Sequence, residues 1–206
     1  DGGFWVKEID NPADARLNAG GNITIVGAKM FDPNGNPDNG KISLRIDADD
    51  AMTSQQQIVA GQDLTIVANF GKVPNAGDIV IDGMMTATDG ALTVFFTDTA
   101  FLSANQTAGT DLLFQNAVLL TNAVTITAGN NVTFASTIDD DGVGSTASTL
   151  TVNAGGDVLF VGKIGNVSPL QSLTVTGDQD IEFLNSVTVD GNIAVTATSE
   201  TNRVVF

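Results

Sequence analysis

Acidic and amide side chains carry most of the chemistry this chain can offer. Asp32, Asn34, Asn36 and Asp38 place an oxygen-bearing side chain at every second position, with Gly35 among them. Alternating oxygen donors on a chain that Gly allows to wrap suit a hard cation such as calcium. The closing bidentate Glu of a helix-flanked calcium loop is absent, so the competing reading is a Pro/Gly/Asn surface turn. Asp139, Asp140 and Asp141 form a second run. Adjacent carboxylates repel one another, and a cation would relieve that, as would open water on a corner. Asp47, Asp49 and Asp50 make a third, weaker cluster. Calcium is therefore a candidate ligand, and no cofactor is required.

Missing residue types exclude other chemistry. The chain has no Cys, no His and no Tyr. Thiolate metal sites, the cysteine nucleophile, the usual serine triad and histidine-ligated zinc all fall away. Paired carboxylates can hydrolyse glycosides, but 21 Asp make accidental pairs certain. The basic residues that a polysaccharide lyase would gather, among them Lys29, Lys41, Lys72, Lys163, Arg16, Arg45 and Arg203, are scattered along the chain. The expectation is a protein without catalysis.

The charge balance narrows the partners. Over 206 residues, 24 acidic and 8 basic side chains give a formal net charge of −16. Nucleic-acid backbones and anionic lipid both need basic patches. No apolar run is long enough for a spanning helix, so no membrane insertion is expected. Only 16% of residues are charged, against about 25% usually. The surface must then be largely neutral and polar. Asp outnumbers Glu 21 to 3, and Thr, Val, Asn and Gly abound. Asp and Gly favour corners while Thr and Val favour strands.

The elements that must position these residues repeat. A corner followed by a strand recurs from Ala19, Ala60, Ala108, Ala128 and Ala154, as in A-G-N-N-V-T-F and A-G-G-D-V-L-F. A degenerate copy, G-D-Q-D-I-E-F, starts at Gly177, with shorter echoes from Ala76 and Asp190. From Ala108 the copies are 20, 26 and 23 residues apart. The 41-residue gap from Ala19 to Ala60 fits two turns, with a degraded copy at Gly40–Ile46. A second strand precedes each corner, as in Val124–Thr127, Leu150–Asn153 and Leu173–Thr176. Its alternation puts Val, Leu and Ile on one face and Thr or Asn on the other. A shorter third segment follows, such as Val187–Val189.

This period describes an all-β, parallel β-helix, a single domain over residues 1–206 with roughly nine rungs of about 20–26 residues and a length of about 40 Å. Rungs are irregular over 1–107, with loops at 32–40, 48–57 and 95–107, and regular over 108–206. Phe114, Phe134, Phe160 and Phe183 should form one internal stack, and Val124, Leu150 and Leu173 another. The corner Gly should permit positive φ, and the Asn or Asp after it should accept local backbone bonds. The competing fold is an antiparallel β-sandwich, which does not need one corner and one Phe at a fixed phase. Outward Thr pairs at Thr125/Thr127, Thr174/Thr176 and Thr196/Thr198, interrupted at Thr151/Asn153, could order water as an ice-binding ladder; Thr is also simply common on outward strand positions.

With L-T-V-N followed by A-G-G-D-V-L-F and then S-P-L-Q-S-L-T-V-T, the chain resembles the β-strand repeats of giant bacterial surface adhesins similar to filamentous haemagglutinin. The resemblance is clear over residues 108–198. It implies a secreted, cell-surface right-handed β-helix used as a stalk, adhesin or matrix, and brings no catalytic residues. The amino-terminal secretion module of that family is not visible in the sequence.

The ends are the remaining candidates. Phe4-Trp5-Val6 and Val204-Val205-Phe206 are apolar and strand-prone, and a solenoid exposes an unpaired rung at each end. The expected partners are copies of the chain, or adjoining β-helix segments, docked head to tail. The expected function is a structural subunit or segment of an extracellular fibre, adhesin or matrix. The alternative is a carbohydrate-binding or carbohydrate-processing β-helix that meets cell-surface or matrix glycans.

Overall fold

The computed structural model describes residues 16–19, 23–26, 57–60, 62–68, 79–81, 84–96, 99–143, 148–199 and 203–206. Among them every regular element is a β-strand, and every strand pairing is parallel. Short strands of alternating Val, Leu, Ile and Thr bury one edge and hydrate the other. The strand Thr149–Ala154 shows it, with its side chains strictly alternating between half-buried and buried. Parallel neighbours need a long connection. Here the connection is one circuit of the solenoid, so each strand pairs with its equivalent one turn later.

Three sheets form the walls. The first has eight strands, in order Arg16–Ala19, Gln57–Ala60, Met84–Ala87, Gln106–Ala108, Val124–Ala128, Thr149–Ala154, Ser172–Gly177 and Ile193–Ala197. The second also has eight: Ile23–Val26, Leu64–Ala68, Leu92–Phe96, Leu112–Phe114, Val132–Phe134, Val158–Phe160, Ile181–Phe183 and Val204–Val205. The third stacks Ile79–Ile81, Thr99–Leu102, Ala117–Leu120 and Ile138–Asp140, and single bridges extend it through Ile164 to Val187.

Among the described residues, eight stacked strands in each of the first two walls replace the nine or so rungs expected. Arg16–Ala19 pairs directly with Gln57–Ala60, and Ile23–Val26 with Leu64–Val67. No strand stands between these partners; Gly40–Ile46, expected as a degraded copy, lies outside the described residues. The loop expected at 32–40 also lies outside the described residues, as does that expected at 48–57 up to Gln57, which opens the strand Gln57–Ala60. Residues 95–107 are not an extruded loop: Thr99–Leu102 and Gln106–Ala108 are regular strands of the third and first walls. The echo from Ala76 belongs to the third wall, as Ile79–Ile81, and the echo from Asp190 leads into the first wall, as Ile193–Ala197.

The internal columns follow the repeat. Phe114, Phe134, Phe160 and Phe183 are buried and stacked, with ring centroids 5.3, 5.5 and 4.8 Å apart. Ile25, Ile66 and Val94 hold the same register position on earlier rungs. Val124, Leu150 and Leu173 form the aliphatic column and are fully buried. Gln106 is a polar residue within these columns. It replaces an apolar residue between Met85 and Ile126, and it is satisfied: its Oε1 accepts the Met85 N–H at 3.0 Å and its Nε2 donates to the Ala104 carbonyl at 2.8 Å.

The corner between the first and second walls differs from expectation in its physics. Gly109, Gly129 and Gly155 stack there, and positive φ belongs instead to Gly142 and Gly165. The corner glycines serve close approach. A Cβ on Gly129 would collide with the Gly109 carbonyl oxygen, and one on Gly155 with that of Gly129. The Asx residues that follow do not bond locally. Asn131 N–H donates to Asp111 Oδ1 at 3.1 Å, Asp157 N–H to Asn131 Oδ1 at 2.8 Å, and Asp180 N–H to Asp157 Oδ1 at 3.0 Å. Each side chain thus accepts from the backbone of the next rung, and the corner becomes a ladder of its own.

Candidate functional site

The Asx ladder ends at the last rung described. Arg203 N–H donates to Asp180 Oδ1 at 2.8 Å, and the Arg203 carbonyl accepts the Ile181 N–H at 2.9 Å. The guanidinium adds a 3.4 Å contact to Asp180 Oδ2, with both side chains largely exposed. The backbone hydrogen bond from Arg203 holds the Asp180 carboxyl below its usual range, and the guanidinium acts in the same direction. These bonds seat the strand Val204–Val205 on Ile181–Phe183.

That strand carries the aromatic column one rung further. The Phe206 ring lies 5.0 Å from Phe183 with the planes 3° apart, and 78% of Phe206 is exposed. Ile193 is 45% exposed and Val204 38%. Ile193 continues the aliphatic column above Leu173, and Val204 stands above Ile181. Beside them a hollow of about 490 Å³ opens on Phe183, Ser186, Val187, Ile193 and Phe206. The interior of the solenoid therefore reaches the surface here, with its apolar columns uncovered.

Of the self-association residues expected from sequence, Val204 and Phe206 lie on this end face. Val205 shares the outward register position of Glu182, so it belongs to the outer wall and not to the end. Phe4, Trp5 and Val6 lie outside the described residues. Sequence reading placed Phe206 at an end but did not see it as the fifth ring of the column. The signal was the spacing: Phe206 follows Arg203 as Phe183 follows Asp180.

The candidate metal ligands divide likewise. Asp32, Asn34, Asn36 and Asp38 lie outside the described residues. Asp139, Asp140 and Asp141 are adjacent in sequence but serve different partners. Asp139 Oδ1 accepts the Val167 N–H at 2.8 Å, Asp140 Oδ1 accepts the Ser148 N–H at 3.2 Å, and Asp141 Oδ1 accepts the Val143 N–H at 2.9 Å. Asp139 and Asp140 are buried. Among the described residues no group of three or more acidic side chains is arranged to hold a metal ion.

The threonine pairs resolve into columns. Thr86, Thr107, Thr127, Asn153, Thr176 and Thr196 share one outward register position on six successive strands of the first wall. Thr125, Thr151 and Thr174 share the neighbouring one. Thr198 does not belong to this face: its Oγ1 donates to Asp178 Oδ1 at 2.7 Å at the corner.

Comparison with known proteins finds no matching family model, no matching curated protein and no matching solved structure.

Proposed function

We propose that this protein is a non-catalytic structural element of an extracellular bacterial fibre, surface adhesin or matrix, extended end to end by further rungs of the same cross-section. The observation that supports it most is the uncovered ring of Phe206 at the head of a five-ring column, flanked by Ile193 and Val204. An apolar face of this shape is complementary to another rung of the same solenoid. Docking such a rung would continue both apolar columns and pair the free edge of the last strands. Two donors of that rung are compatible with the face: an adjoining stretch of the same solenoid, or a second copy of the chain. The surface placement rests on the likeness of the L-T-V-N and A-G-G-D-V-L-F repeats to those of large bacterial adhesins.

Electron microscopy and light scattering of the purified chain test the reading. Unbranched rods one solenoid wide, lengthening with concentration, are expected. A monodisperse monomer at millimolar concentration, with the Phe206 face still exposed to solvent in solution, would overturn end-to-end growth through copies.

A further inference from the structure

We infer that the outer face of the first wall binds ice. The inference is independent of the end-to-end reading and rests on three properties of that face. The first is its chemistry. Across six rungs, one outward column holds threonine or asparagine from Thr86 to Thr196, and the neighbouring one holds Thr125, Thr151 and Thr174 before Ala194. No hydroxyl of Thr107, Thr127 or Thr176 is taken by another protein group among the described residues. Each threonine offers water a hydroxyl beside a methyl group, so it anchors one water and confines its neighbours.

The second property is the absence of charge. The chain carries 24 acidic and 8 basic side chains, yet neither outward column from Met84 to Thr196 holds one. A charged group orients water about itself and breaks a neutral hydrogen-bonded lattice. Aromatic rings, the usual platform for a sugar face, are absent from both columns as well.

The third is regularity. Adjacent strands are about 4.8 Å apart, and positions i and i+2 about 6.6–6.8 Å apart along a strand. Each pairing sets the outward residues directly opposite one another from Thr86 to Thr196, with no shift of register. The threonine column therefore keeps one spacing over six strands, about 24 Å. A neutral, in-register grid of hydroxyls offers water a repeating set of hydrogen-bonding sites, as a crystal surface requires.

The test measures ice shaping and thermal hysteresis of the full chain in a nanolitre osmometer. Faceted crystals and a freezing point below the melting point are expected. The double variant Thr127→Tyr/Thr176→Tyr should abolish both while leaving circular dichroism unchanged. Thr133→Tyr, on the outer face of the second wall, should retain both. Round, unshaped crystals with the unmodified chain would overturn the inference, and so would equal loss in the Thr133 variant. Retention on microcrystalline cellulose or chitin without any effect on ice would overturn it in favour of a glycan-binding face.

Discussion

The ring of Phe206 lies on that of Phe183, 5.0 Å away and 3° from parallel, while 78% of Phe206 remains in contact with solvent. One face of the ring packs on Phe183 and the other is open to solvent. Every ring below it has both faces covered. The difference between Phe160 and Phe206 is therefore one of neighbours, not of conformation, and it sets out what each should contribute.

Phe160 is buried between Phe134 and Phe183. Phe160→Ala removes a ring and leaves a cavity bounded by two stiff rungs, and should cost about 3–5 kcal/mol. Thr174 faces solvent from the first wall, and Thr174→Ala should cost under about 1 kcal/mol. Urea titrations of the two variants check this. Coincident midpoints would contradict the inward placement of the ring.

Two glycines should respond unequally to asparagine. Gly129 has ordinary φ but no room, because a Cβ would meet the Gly109 carbonyl oxygen. Gly129→Asn must spread two rungs and should cost about 1–3 kcal/mol. Gly142 has φ of +69° and open space, its nearest neighbour being Ser168 Oγ at 3.6 Å. Asparagine tolerates left-handed backbone, so Gly142→Asn should cost under about 1 kcal/mol. Thermal melts that rank the pair in reverse would refute the close-approach account of the corner.

The columns were legible in the sequence because each rung repeats the same phase: Phe134 and Phe160 stand six residues after Ala128 and Ala154. The rung at Ala87 was not legible. Thr88 occupies the place of the corner glycine and Ala91 that of the Asx acceptor, so both marks of the motif are gone. The register nevertheless sets Ala87 between Ala60 and Ala108. The inter-rung use of Asp111, Asn131, Asp157 and Asp180 was hidden for another reason. A side-chain oxygen that accepts a hydrogen bond 19–26 residues away has the same local sequence as one that caps its own turn. Direct pairing of Arg16–Ala19 with Gln57–Ala60 could not be read either, since a gap of 41 residues is also two periods.

Acid should loosen the last strand first. The carboxyl of Asp180 is held below its usual range, chiefly by the Arg203 backbone N–H. A depressed folded value makes the contribution complete above the unfolded value of about 3.9 and removes it as pH falls through the folded value. Asp180→Asn keeps an oxygen to accept that N–H but carries no charge. The melting temperature of the variant should therefore lie below that of the unmodified chain near neutrality, and the two should converge in strong acid. A gap that stays constant from about pH 6 down to about pH 2 would show that the charge of Asp180 has no part in seating Val204–Val205.

A charge at the head of the column should stop end-to-end growth without unfolding the chain. Phe206→Asp places a carboxylate where a docked rung would have to bury it, and an unpaired buried charge costs several kcal/mol. The apolar area around Ile193, Val204 and Phe206 contributes about 25 cal/mol per Å² on burial, before the cost of association. One carboxylate can therefore outweigh the gain. Only one face of the ring is packed in the single chain, so Phe206→Asp should leave the circular dichroism of the stack intact. Val205 points outward beside Glu182, and Val205→Thr should assemble as the unmodified chain does. Sedimentation velocity separates the cases: rods for the unmodified chain and Val205→Thr, a single slow species for Phe206→Asp. The net charge of −16 opposes lateral clumping, so salt should thicken the rods of the first two by screening and leave Phe206→Asp unassembled. Rods formed by Phe206→Asp at the same concentration would place the joint elsewhere than on the aromatic column.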